Sequence, residues 1–258
     1  MRGAMLSRRE ERLLKTLRQR RAREEEGLFL VEGVRAVEDL LASKVRVRFA
    51  VASSTLGDTP RGAALPGGIA ARGIAVHQVD ERSFRDWADT ETPQGVLAVA
   101  EIPRAALDAI PMDAEPAVVL VLDAVQDPGN FGTLVRTAEA LGAAGVVVLP
   151  GTVDPWNPKS VRAAMGSSFR LPVVEADWEA LEPWLRGRGA VTVASAVGAP
   201  PPDSLPRRAA LVLGNEGAGV SADTLRRAEL TLGIPLRGRA ESLNVAAAGA
   251  ILLHELLR

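Results

Sequence analysis

The spacing of apolar positions changes along the chain, and each change marks an element. Leu13, Leu14 and Leu17 form one stripe at helical spacing and predict a helix over 7–23. An apolar run at 28–31 predicts a strand, and Val34, Val37, Leu40 and Leu41 then recur at helical spacing. Residues 47–54 read as a strand and the Gly/Pro-rich stretch 57–68 as a loop. Strands at 74–79 and 95–100 flank a helical turn at 82–87. Such alternation describes a small α/β unit.

Residues 102–116 carry Pro103, Pro111 and Pro116 over a weak helical pattern and read as a linker. Beyond it, strands at 117–123, 145–150, 190–197, 209–213 and 230–234, with a short one at 173–174, alternate with helices. Those helices fall at 131–141, 161–168, 178–186, 221–228 and 245–257. The strands are apolar throughout rather than alternating, which indicates a parallel sheet covered on both faces. The expected architecture is α/β: a domain at 1–102, a linker at 103–116 and a parallel-sheet domain at 117–258.

Composition narrows the chemistry. The 258 residues can build two modest cores. There is no cysteine, which excludes disulfides and thiolate metal sites, and His77 and His254 are too far apart in sequence to suggest a metal site. The start, MRGAMLSRRE, lacks a signal-peptide core, and no apolar run approaches the roughly 20 residues of a membrane helix. A cytoplasmic protein with no membrane or metal partner is expected. Net charge is −1, which gives no global pull toward nucleic acid. Locally, Arg2, Arg8, Arg9, Arg12, Lys15, Arg18, Arg20, Arg21 and Arg23 stand against Glu10 and Glu11. Such a cluster either contacts phosphates or forms a solvated helix face. Tyrosine is absent and aromatics are scarce, which disfavours an aromatic platform for stacking bases.

Three turns carry the candidate chemistry. Asp127-Pro128-Gly129-Asn130 is strong turn sequence, with Asn130 a natural N-cap for the next helix. Arg136 follows on that helix, beside an inward stripe of Leu134, Val135, Ala138 and Leu141. It has two readings: an ordinary surface pair with Glu139 three residues on, or a guanidinium holding a phosphate or developing alkoxide. Gly214–Gly219, GNEGAG, is neither the dinucleotide fingerprint nor a Walker loop. Its Glu216 would repel a polyphosphate yet can accept hydrogen bonds from a ribose, an amine or an arginine. The third turn is IPLRGRAESLN, where Ser242 and Asn244 can cap the last helix. Three strand–turn–helix transitions in one half of the chain suggest one shared site at the carboxyl ends of parallel strands.

Together these motifs resemble the SpoU/TrmH-type members of the SPOUT class of RNA methyltransferases. The likeness rests on Asn130-Phe-Gly-Thr-Leu-Val-Arg136-Thr-Ala, Leu213-Gly214-Asn215-Glu216-Gly217, and Ile234-Pro235 with Ser242-Leu243-Asn244-Val245. The stretch from Asn157-Pro158-Lys159 to Gly166 also looks like the family, and the likeness covers residues 117–258. FLVEGVRAVEDLL and TPQGVLA resemble the ribosomal-protein-like substrate-binding domain of many ribosomal-RNA members. Ala246 and Leu236 depart from residues common in relatives, outside the motif positions.

The resemblance implies a deep trefoil knot and a homodimer with its active site at or near the subunit interface. It implies S-adenosyl-L-methionine as cofactor, held by Leu213, Gly214, Asn215, Gly217, Ile234, Pro235, Leu243 and Asn244. By motif match Arg136 would activate a target ribose 2′-hydroxyl, with Asn130, Glu216, Ser242 and Asn244 positioning substrate, cofactor or Arg136. Arginine is a poor base because its pKa lies above about 12, so Arg136 is read as stabilising the alkoxide while the proton leaves to an RNA phosphate. The amino-terminal domain points to 23S-type ribosomal RNA, with tRNA as the close alternative. A catalytically silent RNA-binding paralogue is disfavoured by the intact motif residues, and a nucleotide oxidoreductase by the absence of GxGxxG after the first strand.

Overall fold

The computed structural model describes residues 6–199 and 204–258; Arg2 of the basic cluster and residues 200–203 of the Pro-rich stretch lie outside them. The chain forms two compact units. One holds Met1–Pro103 with Trp156–Phe169, the other Arg104–Pro155 with Arg170–Arg258.

In the first unit a four-stranded mixed sheet is built from β1 (Leu28–Glu32), β2 (Val47–Ala52), β3 (Ala75–Gln78) and β4 (Val96–Glu101), in the order β1-β4-β2-β3. Both of its faces are covered, and the period-two alternation of strand side chains sorts residues between two cores. Phe29 and Val31 of β1 pack with Val37 and Leu40 of α3 (Val34–Ala42). Leu28 and Leu30 pack on the other side with Leu13, Leu14 and Leu17. The first core takes three residues from far along the chain, Trp156, Val161 and Phe169. The Phe29 ring lies 4.8 Å from that of Trp156 and 6.0 Å from that of Phe169. A segment that sequence order places among the second unit's elements therefore completes the first unit's core.

Two readings of this half need correction. The helix expected over 7–23 is broken into α1 (Arg8–Thr16) and α2 (Arg20–Glu26). The break frees the Leu17 carbonyl, which the buried Arg23 guanidinium engages at 2.7 Å. The Gly/Pro-rich stretch 57–68 is mostly helical, as α4 (Pro60–Ala70). Thr59 caps it, and Pro60 occupies the first helical position, where its missing N–H has no helical partner to lose.

The basic cluster is largely matched. Glu24, Glu25 and Glu26 follow Arg23 directly. Arg20 pairs with Glu24 at 2.6 Å, Arg21 with Glu25 at 2.7 Å, Lys15 with Glu11 at 2.6 Å, and Arg9 and Arg12 approach Glu26 at 3.6 and 3.4 Å. Each exposed pair adds at most about 1 kcal/mol, yet together they cancel much of the positive potential.

The second unit is a six-stranded, wholly parallel sheet of order β10-β8-β9-β5-β6-β7. Its strands are β5 (Ala117–Asp123), β6 (Gly145–Val148), β7 (Val173–Glu175), β8 (Val191–Ser195), β9 (Arg208–Gly214) and β10 (Leu230–Leu232). Every residue of β5 is buried, as a central parallel strand requires. From β5 the chain builds outward to β7, then crosses to the other side for β8, β9 and β10. The carboxyl ends of β5 and β9 thus flank the reversal of strand order, where open α/β sheets bind ligands. The last helix, α10 (Val245–Leu257), packs on α6 (Pro128–Leu141) and on β5 and β9.

The helix read at 161–168 begins earlier, as α7 (Pro158–Ala163). Asn157 caps it, and a short 3-10 turn, Ser167–Phe169, follows. The stretch read as a linker buries Ile110 and Met112 in the second unit's core. No helix among the described residues is long and apolar enough to cross a membrane, and they hold no cluster of metal-ligating side chains.

Candidate active site at the carboxyl ends of the parallel strands

β9 runs into a loop that closes on itself. Asn215 and Gly219 exchange two backbone hydrogen bonds, both 2.9 Å. The Asn215 side chain locks the loop further: Oδ1 accepts from the backbone N–H groups of Gly217 and Ala218, and Nδ2 donates to the Ala124 carbonyl at 2.9 Å. A Cβ on Gly214 would lie 2.1 Å from the Gly219 carbonyl carbon and the Val220 nitrogen, so only glycine allows this closure. Below the loop, the buried Asp123 carboxylate accepts from Ser221 N–H at 2.8 Å and from the Thr224 hydroxyl at 2.6 Å. Those bonds pin the start of α9 (Ala222–Arg227) to the end of β5. Asp123 and Thr224 were not singled out from sequence. The signal was an Asp ending an otherwise apolar strand, a position where a lone carboxylate needs partners.

Glu216 joins the first two motifs. Its Oε1 accepts from Asn130 Nδ2 at 3.0 Å and from Asp127 N–H at 3.1 Å, and its Oε2 from Gln126 N–H at 3.2 Å. Burial alone would raise its pKa, but the hydrogen bonds from the Asn130 side chain and from loop backbone outweigh it and hold the carboxyl below its usual value of 4.5. Asn130 in turn accepts from Asn244 Nδ2 at 3.0 Å, while Asn244 Oδ1 caps α10 through Ala246 and Ala247 N–H groups. A continuous Glu216–Asn130–Asn244 chain therefore ties three loops together. Asn130 is not the N-cap expected from sequence. Asp127 takes that role, accepting from Asn130 N–H at 2.7 Å, because Pro128 fills the first helical position. This leaves the Asn130 amide free for both partners.

Beside this chain opens a cleft of about 410 Å³, in the size range of small-molecule sites. Gly214, Asn215, Glu216, Gly217, Ile234, Ser242 and Leu243 line it; Leu213, Pro235, Asn130, Asn244 and Arg136 do not. Leu213 is fully buried beneath. The cleft has a marked apolar character. The described residues include seven exposed large apolar side chains, and four of them, Val197, Leu225, Leu236 and Leu243, line this one cleft.

Arg136 lies elsewhere, on the exposed face of α6. It lines a groove of about 380 Å³ with Thr133, Thr137, Leu141, Ala250 and His254. It makes no hydrogen bond or ion pair with any described residue. The surface pair with Glu139 does not form, because Glu139 is engaged by Arg170, whose Nε donates to it at 3.0 Å.

This arrangement matches known proteins along nearly the whole chain. Residues 117–254 match the SpoU rRNA methylase family, and residues 12–98 the MRM3-like substrate binding domain. The 23S rRNA (guanosine(2553)-2′-O)-methyltransferase RlmP of Bacillus subtilis is 38% identical over 245 residues, covering 94% of this chain and 93% of that protein. The SpoU methyltransferase AviRb of Streptomyces viridochromogenes, solved in complex with the cofactor AdoMet, superposes with a TM-score of 0.86 at 29% identity. That match covers 98% of this chain and 97% of the other. An AdoMet-bound rRNA methyltransferase from Sinorhizobium meliloti gives a TM-score of 0.83 at 31% identity, over 99% and 97% of the two chains. With its ordered motif loops joined at the reversal of a parallel sheet, this chain belongs to the SpoU rRNA methylase family.

Proposed function

We propose that the protein transfers a methyl group from S-adenosyl-L-methionine to a ribose 2′-hydroxyl of 23S-type ribosomal RNA. The observation that carries this reading is the Glu216–Asn130–Asn244 chain, which holds the three motif loops in register beside an apolar cleft. In this reading residues 1–102 hold the RNA, 103–116 connect, and 117–258 carry out transfer in the cytoplasm.

The cleft fits the cofactor. Leu225, Leu236 and Leu243 offer apolar walls for a purine, and backbone carbonyls of the closed 214–219 loop lie alongside as acceptors for the polar parts. Leu213, Gly214, Asn215, Gly217, Ile234, Pro235, Leu243 and Asn244 would hold it, directly or by shaping the loops. When bound, the cofactor supplies an electrophilic methyl group on a sulfonium.

The chain's own contribution is orientation and charge. A ribose hydroxyl is a weak nucleophile at neutral pH, and its attack must be in line. The Arg136 guanidinium makes no hydrogen bond or ion pair with any described residue. It is therefore available to stabilise the alkoxide as the proton leaves to an RNA phosphate. Glu216, Asn130 and Asn244 tie together the loops beside the cleft, and Ser242 lines it. Arg136 and the cofactor cleft are separate features of one chain, which favours a homodimer in which one copy's Arg136 serves near its partner's cleft. Leu141 and Ile251, exposed on α6 and α10, supply an apolar patch for that contact. The path of residues 233–244, from edge strand β10 back to α10 over β9 and β5, supports a threaded, knotted chain. At its start, a Cβ on Gly233 would lie within 2.7 Å of the Ala196 and Ala199 carbonyl oxygens.

The test is transfer from labelled-methyl cofactor to separate pools of unmodified ribosomal RNA and tRNA, followed by alkaline cleavage. A 2′-O-methyl group removes the hydroxyl that attacks the neighbouring phosphate, so a resistant dinucleotide in ribosomal RNA is the expected product. Label confined to tRNA, or no transfer at all, overturns the assignment.

A further inference from the structure

The first unit contains a cavity of about 380 Å³ between the β1–α3 turn, the loop at 90–94 and the turn after α7. Three features set it apart from an ordinary surface hollow. Arg35, in the first turn of α3, lines it and makes no hydrogen bond or ion pair with any described residue. Its neighbour Arg162, by contrast, is tied to Asp89 at 2.9 Å. Met165 lines it too, and is one of the seven exposed large apolar side chains among the described residues, at 39%. Finally, Met165 has φ +50°, a left-handed conformation that is unfavourable for any residue but glycine. A flexible apolar residue held exposed in a strained turn is unexplained by packing, and such outliers concentrate at functional positions.

The polar wall is equally specific. Gln94 Oε1 accepts from Val34 N–H at 2.9 Å, which leaves its amide NH₂ as a donor. Glu32 is occupied by the Asp89 N–H and the Thr90 hydroxyl. The Thr92 hydroxyl has no partner among the described residues. The cavity thus combines a flat guanidinium, a polarisable thioether, a short row of hydrogen-bonding groups and the Asp39 carboxylate, an acceptor for a base's amino group. That combination suits a planar heteroaromatic with a polar edge. Single-stranded RNA bases are bound in this way, on guanidinium planes as well as aromatic rings.

We propose that this cavity is a pocket for one unpaired base of the RNA substrate, stacked on Arg35 and Met165 and read along its edge by Thr92 and the Gln94 amide. The proposal rests on the RNA reading above. It also gives a chain without tyrosine its stacking surface.

The experiment measures methyl transfer to in-vitro-transcribed 23S rRNA over a range of RNA concentrations, alongside photo-cross-linking of the same RNA containing 4-thiouridine. Met165→Gly removes the thioether while suiting the backbone angle, so folding is preserved; Arg35→Glu reverses the unpaired charge. Arg72→Glu, an exposed site in the same unit away from the cavity, serves as control. The expected result is a KM for RNA raised about tenfold or more by each pocket variant. The control should not change it, cofactor affinity should hold throughout, and the wild-type cross-link should map to the Met165 peptide. An unchanged KM in both pocket variants overturns the pocket while leaving the enzymatic reading intact. If wild type transfers no methyl group to ribosomal RNA, the enzymatic reading falls. The cross-link then decides the pocket alone, supporting it if it maps to Met165 and overturning it if it does not.

Discussion

Replacing Gly214 with alanine tests whether the closed 214–219 loop shapes the cleft proposed for the cofactor. The new Cβ would sit 2.1 Å from the Gly219 carbonyl carbon and the Val220 nitrogen, and 2.2 Å from the Gly219 oxygen. Carbon contacts settle near about 3.5 Å, so the facing backbone must retreat by roughly 1.4 Å. That backbone is not free to move. The Asn215–Gly219 bonds, the Asn215 link to Ala124 and the Asp123 bonds to Ser221 and Thr224 all hold it from behind. Overpacking of this kind costs about 1–3 kcal/mol. The smaller entropy of the alanine chain when unfolded offsets only about 0.4–1 kcal/mol of that. At about 2–4 °C per kcal/mol for a unit of this size, Tm should fall by several degrees. Calorimetric titration should show cofactor affinity at least tenfold weaker, because the displaced loop forms one wall of the cleft. A Gly214→Ala protein with wild-type Tm and wild-type cofactor affinity would refute the argument.

Arg136→Ala should lower kcat by about a hundredfold or more with Tm unchanged, since Arg136 has no partner among the described residues. Arg136→Lys retaining near-normal turnover would count against a specific role for the guanidinium. Asn244→Ala should cost about 0.5–2 kcal/mol by uncapping α10. Asn244→Asp should recover most of that stability in a denaturant titration but not the activity, because it keeps the cap and sets two oxygens against each other at Asn130. Recovery of both would show that the Asn130–Asn244 bond is dispensable. Glu216 has a folded-state pKa below 4.5, so its contribution to stability is fully present above that value and is lost as pH falls through the lower, folded-state value. The difference in denaturation midpoint between wild type and Glu216→Gln should therefore be flat near neutrality and shrink below about pH 4.5. A difference independent of pH would remove the charged network from the account.

Much of this protein was legible in one dimension because its rules are local. Apolar runs without alternation marked the buried parallel strands, and β5 and β9 are buried along almost their whole length. The order of the motif loops named the family, since residue type and spacing are enough to recognise strand–turn–helix transitions. Where local rules compete, sequence reasoning erred. Pro60 and the glycines after it looked like breakers until Thr59 capped them into α4. Asn130 looked like a cap until Asp127 and Pro128 took the position.

What only tertiary structure decided is which distant groups meet. Nothing in residues 156–169 announces that Trp156 and Phe169 will pack against Phe29, because burial depends on the partner surface and not on the segment alone. Glu216 became the hub of the site by reaching residues 86 to 90 positions earlier in the chain. Arg136 has no partner among the described residues, and Arg170, 31 residues beyond Glu139, holds the partner expected for it. Sequence by itself determined the parallel strands and most of the helices, the family and the residue types available for chemistry. The fold determined which of those residues are spent on holding loops together and which remain free to act, because each hydrogen bond or ion pair made within the chain removes a group from the reaction.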